Sequence, residues 1–431
     1  MHRRLLTAAL VATFCWYAPL AQGAEIAPVS AARAQLEAGE YQAAAQLADD
    51  LLARLDTRFD RFGMGLVNPL QIKAEALYRL GQFPAALDLS ARAWNIVRYN
   101  EGLHSLSQIP EMQRLASITA ATGDLEAAND LEEASFELAL RTYGKHDVRL
   151  VDHLHRLANW YADNGHHVEA LQLHARSRDI TRQHLPDAEA LLERSLSGIT
   201  HAYLELGFPN YRAIAAADDS SALPLRPETT FKPSMSDAGT LRDLVLPKLH
   251  VGQAVAHSAF LPGEFAAREL VALRREQHQR ALAAGETADP QALADAITAL
   301  GDWHQLLGQS GKALASYREA QTLAASGPAS ARFDTPELLY VPHPGSPDPG
   351  ALHGPKRSLS GEVRLQVRID NRGRVRHTRL VSSVPANLDT LQYVRAVRNA
   401  KYRPALADTG FVATADVPLR LDFSYEVAGK P

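Results

Sequence analysis

Cysteine is nearly absent from this chain: Cys15 is the only one in 431 residues. A single thiol cannot close a disulfide within the chain, and it cannot supply the several thiolates of a structural zinc site. Cys15 also lies in an apolar run, residues 5–18, that follows Arg3 and Arg4 and precedes the small-residue pattern Ala21-Gln22-Gly23. This reads as an export signal over residues 1–23, cut after Gly23 or after Ala24, which leaves a mature chain without cysteine and places it in the periplasm. A lipid-anchored signal needs a small side chain before its cysteine, and Phe14 stands there. No later stretch approaches 18 consecutive apolar residues, so membrane contact is expected only if the signal stays uncleaved.

Recognisable catalytic motifs are also lacking. The sequence contains no His-Glu-Xaa-Xaa-His and no Gly-Xaa-Ser-Xaa-Gly. His166 and His167 are adjacent, and His153 and His155 stand two apart, whereas metal-binding helices use spacings of three or four. Gly308-Gln309-Ser310-Gly311-Lys312 resembles a phosphate loop, but its glycines are too close and Ala313 occupies the place of the magnesium-binding hydroxyl. Carboxylates are scattered without a paired acid and base. The chain therefore reads as a non-enzyme with no cofactor and no metal.

Charge of one sign is scarce at the C-terminus. The whole chain carries a formal −4, yet residues 356–431 hold 14 Lys and Arg against 7 Asp and Glu. An acidic body thus ends in a basic tail, which suits an anionic partner; an exported location makes nucleic acid a poor one.

The informative presence is a repeat. Gly39, Gly81, Gly123, Gly165 and Gly207 are 42 residues apart. Seven residues before them stand Ala32, Ala74, Ala116, Ala158 and Thr200, and five after the first four stand Ala44, Ala86, Ala128 and Ala170. In one copy Leu154, Leu157, Ala158 and Tyr161 recur at helical spacing, Asn164-Gly165 breaks the helix, and Val168, Leu171, Leu173 and Ile180 belong to a second. Each unit is thus a helical hairpin with a glycine turn, and small residues let the two helices approach closely. Neither helix buries its stripe alone, so neighbouring pairs stack into a solenoid.

Leu300-Gly301-Asp302-Trp303-His304, with Gly308, Ala313, Tyr317 and Ala320, resembles the tetratricopeptide repeat family. The 42-residue period and the phrase Thr142-Tyr143-Gly144-Lys145-His146-Asp147 resemble the longer repeats of kinesin light chains. The array is expected over residues 24–215, an irregular insertion over 216–262, further helices with a tetratricopeptide repeat over 263–326, and a Pro/Gly-rich linker over 327–355. The resemblance implies a peptide or protein ligand on the concave side, lined by the first helix of each pair. Positions 10, 6 and 2 before each glycine test for such a face. Val29, Arg33, Glu37, Ala121 and Glu205 fall in this register along with Gln71, Glu75, Arg79, Gln113, Ser117, His155, Asn159, Asp163, Ser197 and His201. These last ten are the candidate groove residues, their amides, charges and imidazoles being suited to an extended peptide backbone.

Beyond the linker the period changes. Val363, Leu365, Val367 and Ile369 alternate with Glu362, Arg364, Gln366 and Arg368, a strand with one buried face. Asp370-Asn371-Arg372-Gly373 reads as a hairpin turn into a return strand over 375–382. Asn387 is placed to cap a helix carrying Leu388, Leu391, Val394 and Val397, and a last strand alternates Val417, Leu419, Leu421, Phe423 and Tyr425. The expected fold class is multidomain: an all-α tetratricopeptide solenoid followed by a small α+β domain over residues 356–431.

This order, with Gly361-Xaa-Val363, Ile369-Asp370-Xaa-Xaa-Gly373-Xaa-Val375 and Tyr402-Arg403-Pro404-Ala405, resembles the C-terminal domain of TonB energy transducers over residues 361–425. The resemblance implies an outer-membrane or other envelope partner that adds a strand to the sheet edge near residues 411–425. Arg364, Arg368, Arg374, Arg376 and Arg379 would then form a basic face toward an acidic partner. Transducers keep a polar histidine and serine in an uncleaved membrane helix, and they cross the periplasm on a long proline-rich spacer. Residues 5–18 have neither side chain, and the proline-rich piece is short even at about 3.1 Å per residue. The sequence is read as an exported interaction scaffold; the alternative is an atypical energy transducer with an uncleaved anchor.

Overall fold

The computed structural model describes residues 19–56, 60–208, 222–223, 231–233, 261–285, 290–324, 333–342, 356–386, 388, 390–407 and 410–428. The chain divides into two compact units, Met1–Thr142 and Tyr143–Pro431. Most of the expected export signal and the cap at Asn387 lie outside the described residues.

Unit 1 is helical: α1 (Pro19–Glu37), α2 (Tyr41–Leu55), α3 (Val67–Arg79), α4 (Phe83–Glu101), α5 (Gln108–Ala121) and α6 (Leu125–Tyr143). From α1 to α5 each helix packs on the next. Helix α4 shows why: its buried Ala86, Ser90, Ala93, Ile96 and Val97 form one stripe at helical spacing. Large aliphatics such as Leu70 and Ile72 fill the spaces between hairpins and are almost completely buried. Each contributes about 1.5–3 kcal/mol by leaving water.

Unit 2 continues with α7 (Val151–Asp163), α8 (His167–His184), α9 (Glu189–Gly207), α10 (Leu261–Ala283), α11 (Gln291–Leu306) and α12 (Ser310–Ala324), again packed in chain order. The insertion does not follow a completed hairpin. It separates α9 from its own partner α10, so residues 261–283 supply the second helix of the pair that Gly207 was expected to turn. Gly207 accordingly ends α9 without a tight turn, whereas Gly39, Gly81, Gly123, Gly165 and Gly308 have φ of +81°, +75°, +92°, +83° and +76°.

At Gly165 the amide of His166 donates to Tyr161 O at 2.8 Å and that of Gly165 to Ala162 O at 3.1 Å. This pair of bonds satisfies the last carbonyls of α7 and requires a left-handed residue at the turn. The same pattern recurs at Gly308, where Gln309 N donates to His304 O at 2.8 Å, so the segment resembling a phosphate loop is a helix-ending turn. The small residues flanking the turns, Ala44, Ala86, Ala128, Ala170 and Ala313, are fully buried. At Gly301 even a methyl group would collide with the Tyr317 ring, 2.5 Å away.

The strands are β1 (Ala222–Leu223), β2 (Glu337–Tyr340), β3 (Lys356–Ile369), β4 (Val375–Val384), β5 (Lys401–Arg403), β6 (Leu406–Ala407), β7 (Gly410–Phe411) and β8 (Thr414–Ala428), with helix α13 (Leu391–Arg398) between β4 and β5. The main sheet has the order β1-β8-β3-β4. Strands β3 and β4 are antiparallel, as are β3 and β8, while β1 runs parallel to β8 with Ala222 opposite Arg420 and Leu223 opposite Leu421. The expected alternation holds: Val363, Leu365, Val367 and Ile369 face a core with Tyr393 and Val397 of α13, Tyr402, Leu419 and Leu421.

Two features depart from a free-standing sheet on a plain linker. Strand β2, from the segment expected to be linker, pairs with β5. The corner residue Arg403 then reaches back to α11, where its guanidinium donates to Asp302 at 3.0 and 2.6 Å and also to Glu337. Burial alone would lower the Arg403 pKa, but Asp302 and Glu337 outweigh it and hold the guanidinium above its ordinary value. Gln305 donates to Arg372 O at 2.6 Å and Tyr402 O at 2.9 Å, fastening the β3–β4 turn to the same helix.

Candidate protein-binding surfaces

In unit 1 the first helices α3 and α5 bring Gln71, Glu75, Arg79, Gln113 and Ser117 onto one side. Arg79 and Ser117 are exposed, and Gln71, Glu75 and Gln113 are half-buried. They form a network with their neighbours: Gln71 donates to Glu111, Arg79 to Glu75 at 2.9 Å, and Arg114 lies 3.7 Å from Glu75. Burial raises the Glu111 pKa, against the opposing pull of Arg114 and the Gln71 amide. The stripe is polar and prearranged, offering amide donors and acceptors beside both signs of charge.

Within unit 2 the register gives a mixed result. Asn159 and Asp163 are exposed on α7, and Ser197 and His201 are half-buried on α9. His155 does not join them. It is 1% exposed, with Nε2 at 2.8 Å from Ser177 Oγ of α8 and 3.3 Å from Ser195 Oγ of α9. Small hydroxyl residues on both neighbouring helices leave room for the imidazole and a partner for its nitrogen, so it turns inward. Burial, followed by the repulsion of Arg194, lowers its pKa to about 4. The adjacent His174, ring centroid 5.4 Å away, is brought to about 3 by burial and then by His155, His201 and Arg194. These are core imidazoles held neutral.

Sequence reasoning missed Phe231, a residue of the insertion. It is 7% exposed, stacked at 6.0 Å on Trp160 of α7 and 4.6 Å from the His166 ring at the following turn. The chain thus covers part of its own α7 surface. The signal available was a lone aromatic followed by Lys232-Pro233 in an otherwise polar stretch.

On the sheet, Arg364, Arg368, Arg374 and Arg376 are all exposed. They are not a uniformly free basic face. Arg364 pairs with Glu362, Arg374 approaches Asp370 at 3.4 Å, and Arg376 meets the same carboxylate at 2.7 Å. Asp370 is needed there by the turn itself, accepting the amides of Arg372 and Arg374 at 2.9 Å. The edge expected to be open, on β8, carries β1 at Arg420 and Leu421. Among the described residues β4 forms the other edge of this sheet, with Leu380, Val381 and Val384 exposed by 42%, 55% and 58%.

Among the described residues no group of three or more His, Cys, Asp or Glu gathers as a metal site, and no helix is long and apolar enough to cross a membrane.

No protein-family model matches the chain, and no curated protein matches it. Among solved structures it is similar to a Podosopora anserina kinesin light chain protein with nearly identical TPR-like repeats. That match has 21% identity over 42% of this chain and 86% of that one, with a TM-score of 0.38. It is also similar to BtubC (BKLC) from P. vanneervenii, at 14% identity over 70% and 92% of the two chains and a TM-score of 0.40. A Rap protein complexed with competence and sporulation factor overlaps at 12% identity over 70% and 77%, with a TM-score of 0.33. Overlaps this low leave the stack of tetratricopeptide-like hairpins to rest on its own turns and packing.

Proposed function

We propose that this protein is an exported interaction scaffold of the cell envelope. The helical array binds a peptide or protein along its first helices, and the C-terminal sheet, which we read as TonB-like, holds an envelope partner by strand addition. The observation that carries this reading is the polar stripe of α3 and α5. Gln71, Glu75, Arg79, Gln113 and Ser117 lie on one side of a stack whose apolar residues are spent on its own packing. Such a stripe presents donors and acceptors to a partner backbone without a buried catalytic pair. For the sheet, main-chain pairing is proposed at β4, since β8 already carries β1.

The test is a pull-down from an envelope fraction with the full chain, followed by direct binding of each purified partner to variants. Arg79→Glu with Ser117→Arg is expected to weaken an array-bound partner at least tenfold. Val381→Pro, which places a residue lacking an amide hydrogen in β4, is expected to weaken a sheet-bound partner while leaving the first unaffected. N-terminal sequencing of the recovered protein is expected to begin at Ala24 or Glu25. Partners indifferent to both variants, or an intact Met1, would overturn the reading.

A further inference from the structure

A concave site lies in unit 1, away from the first-helix stripe. The C-terminal halves of α4 and α6 and the start of α5 enclose a cavity of about 300 Å³, lined by Trp94, Arg98, Leu103, His104, Met112 and Arg141 among others. Its floor is apolar: Met112 and Leu138 are buried, and the half-buried Trp94 is fixed in place by its Nε1–H donating to Gln108 Oε1 at 3.1 Å. Gln108 also donates to Gly102 O at 2.8 Å, holding the loop that presents Leu103 and His104. The rim is basic. Arg98 rests over the Trp94 ring at 5.7 Å and, among the described residues, pairs with no carboxylate. Arg141 is bound to Glu137 at 2.9 Å, the only acid on the lining. Leu103, on the lining, is 60% exposed.

The charge of this spot is inverted with respect to its surroundings. Residues 24–142 hold 10 Lys and Arg against 17 Asp and Glu, yet the cavity gathers Arg98, Arg141 and His104 around one glutamate. Tryptophan and arginine about an apolar hollow are the composition of interface hot spots. A flat anionic bilayer would face the acidic unit as a whole, whereas a narrow chain seated in the hollow has Arg98, Arg141 and His104 among its nearest charged or polar neighbours, set against one glutamate. A second copy would bring its own basic rim to this one.

We propose that the hollow is a docking site for an acidic peptide segment of a partner protein, with one aromatic or large aliphatic side chain on Trp94 and flanking carboxylates on Arg98 and His104. The assignment rests on reading the chain as an interaction protein, but it names a different surface from the first-helix stripe.

The test uses the full chain and a fluorescein-labelled peptide, Glu-Asp-Glu-Phe-Asp-Glu-Asp, followed by anisotropy at low salt. Binding is expected, weakening steadily with added salt. Arg98→Glu is expected to lower the affinity at least tenfold and Leu103→Ser several-fold. Both sites are exposed, so unchanged thermal unfolding checks that each variant folds. Ser117→Arg, on the first-helix stripe, is expected to leave this binding intact. Five results would overturn the proposal: no binding at millimolar peptide, equal binding of the lysine-for-acid peptide, indifference to Arg98→Glu, loss only on Ser117→Arg, or Arg98-dependent binding to phosphatidylglycerol vesicles without peptide binding. Loss of the envelope partner by Arg79→Glu with Ser117→Arg, alongside a silent cavity, would sink the cavity and leave the scaffold reading standing.

Discussion

The contact between Asp302 and Arg403 predicts a specific pattern of stabilities. The two side chains are 5% and 7% exposed, and Arg403 spans to Asp302 with a two-pronged contact while Tyr317 donates to the same carboxylate at 2.9 Å. Arg403→Met would leave Asp302 charged and buried with the Tyr317 hydroxyl as its remaining polar partner among these contacts. Breaking a buried pair in this way costs about 3–5 kcal/mol, because the surviving charge has lost both water and its counter-ion. Asp302→Leu strands the guanidinium on Glu337 alone, which is 37% exposed and so screened by solvent. The double variant removes both charges and fills the space with apolar atoms, which is often neutral or stabilising by about 1–4 kcal/mol. Urea unfolding monitored by Trp303, fully buried beside Asp302, reads the affected region when Trp16, Trp94 and Trp160 are replaced by phenylalanine. Each single variant is expected to lose about 3 kcal/mol or more, and the double variant most of that loss regained. Single variants within about 0.5 kcal/mol of the parent, or a double variant as unstable as the two losses combined, would refute the claim that this pair fastens the sheet to α11.

Three further outcomes follow from other parts of the structure. Gly165→Val forces a β-branched residue to φ +83° and is expected to cost about 1–3 kcal/mol by thermal unfolding; an unchanged melting curve would contradict the turn. His155 and His174 have folded pKa values of about 4 and about 3 against an ordinary 6.5, so the folded chain refuses protons that the unfolded chain accepts. Their contribution is fully present above pH 6.5 and falls as the pH drops toward 4, by up to about 1.4 kcal/mol per pH unit for each. Urea midpoints from pH 7 to 5 should decline accordingly, and a flat profile would count against neutral core imidazoles. Phe231→Ala removes a buried ring from Trp160 and is expected to shift that tryptophan's emission to the red; an unmoved spectrum would mean that the ring does not cover it.

The hairpins were legible because a turn requiring positive φ, and small residues at helix crossings, each leave a fixed mark at a fixed offset. The strand over residues 363–369 was legible because one buried face imposes a period of two. What escaped depends on partners distant in sequence. Nothing local marks α10 as the second helix of α9 when an insertion separates them. The glycine register fixes how α7 is rotated on average, but it does not reveal Ser177 and Ser195, which draw His155 inward. Strand β1 is two residues long and too short to show a period, so the occupied edge of β8 could not be foreseen. Arg403 is marked by its Tyr402-Arg403-Pro404 corner, but its partner Asp302 lies 101 residues earlier, in a helix with its own separate period.

That last pairing bears on how a partner strand would engage the sheet. Gly373 O accepts the amide of Tyr402 at 3.0 Å, and Gln305 of α11 binds the carbonyls of Arg372 and Tyr402, so the β3–β4 turn and the Tyr402-Arg403 corner are held by one helix. Strand β4 leaves that turn and runs to Val384, its outer edge unpaired among the described residues. A partner strand adding at β4 would therefore engage an element anchored at its first residue, paying little ordering entropy on the protein's side. Any displacement of the turn would be felt at Gln305 and Asp302, because both grip the same short stretch of backbone and guanidinium. Gln305 and Asp302 thus tie the sheet to α11. A partner on β4 should accordingly protect the α11 amides from hydrogen exchange as well as those of β4, and protection confined to the strand would show that the grip does not transmit.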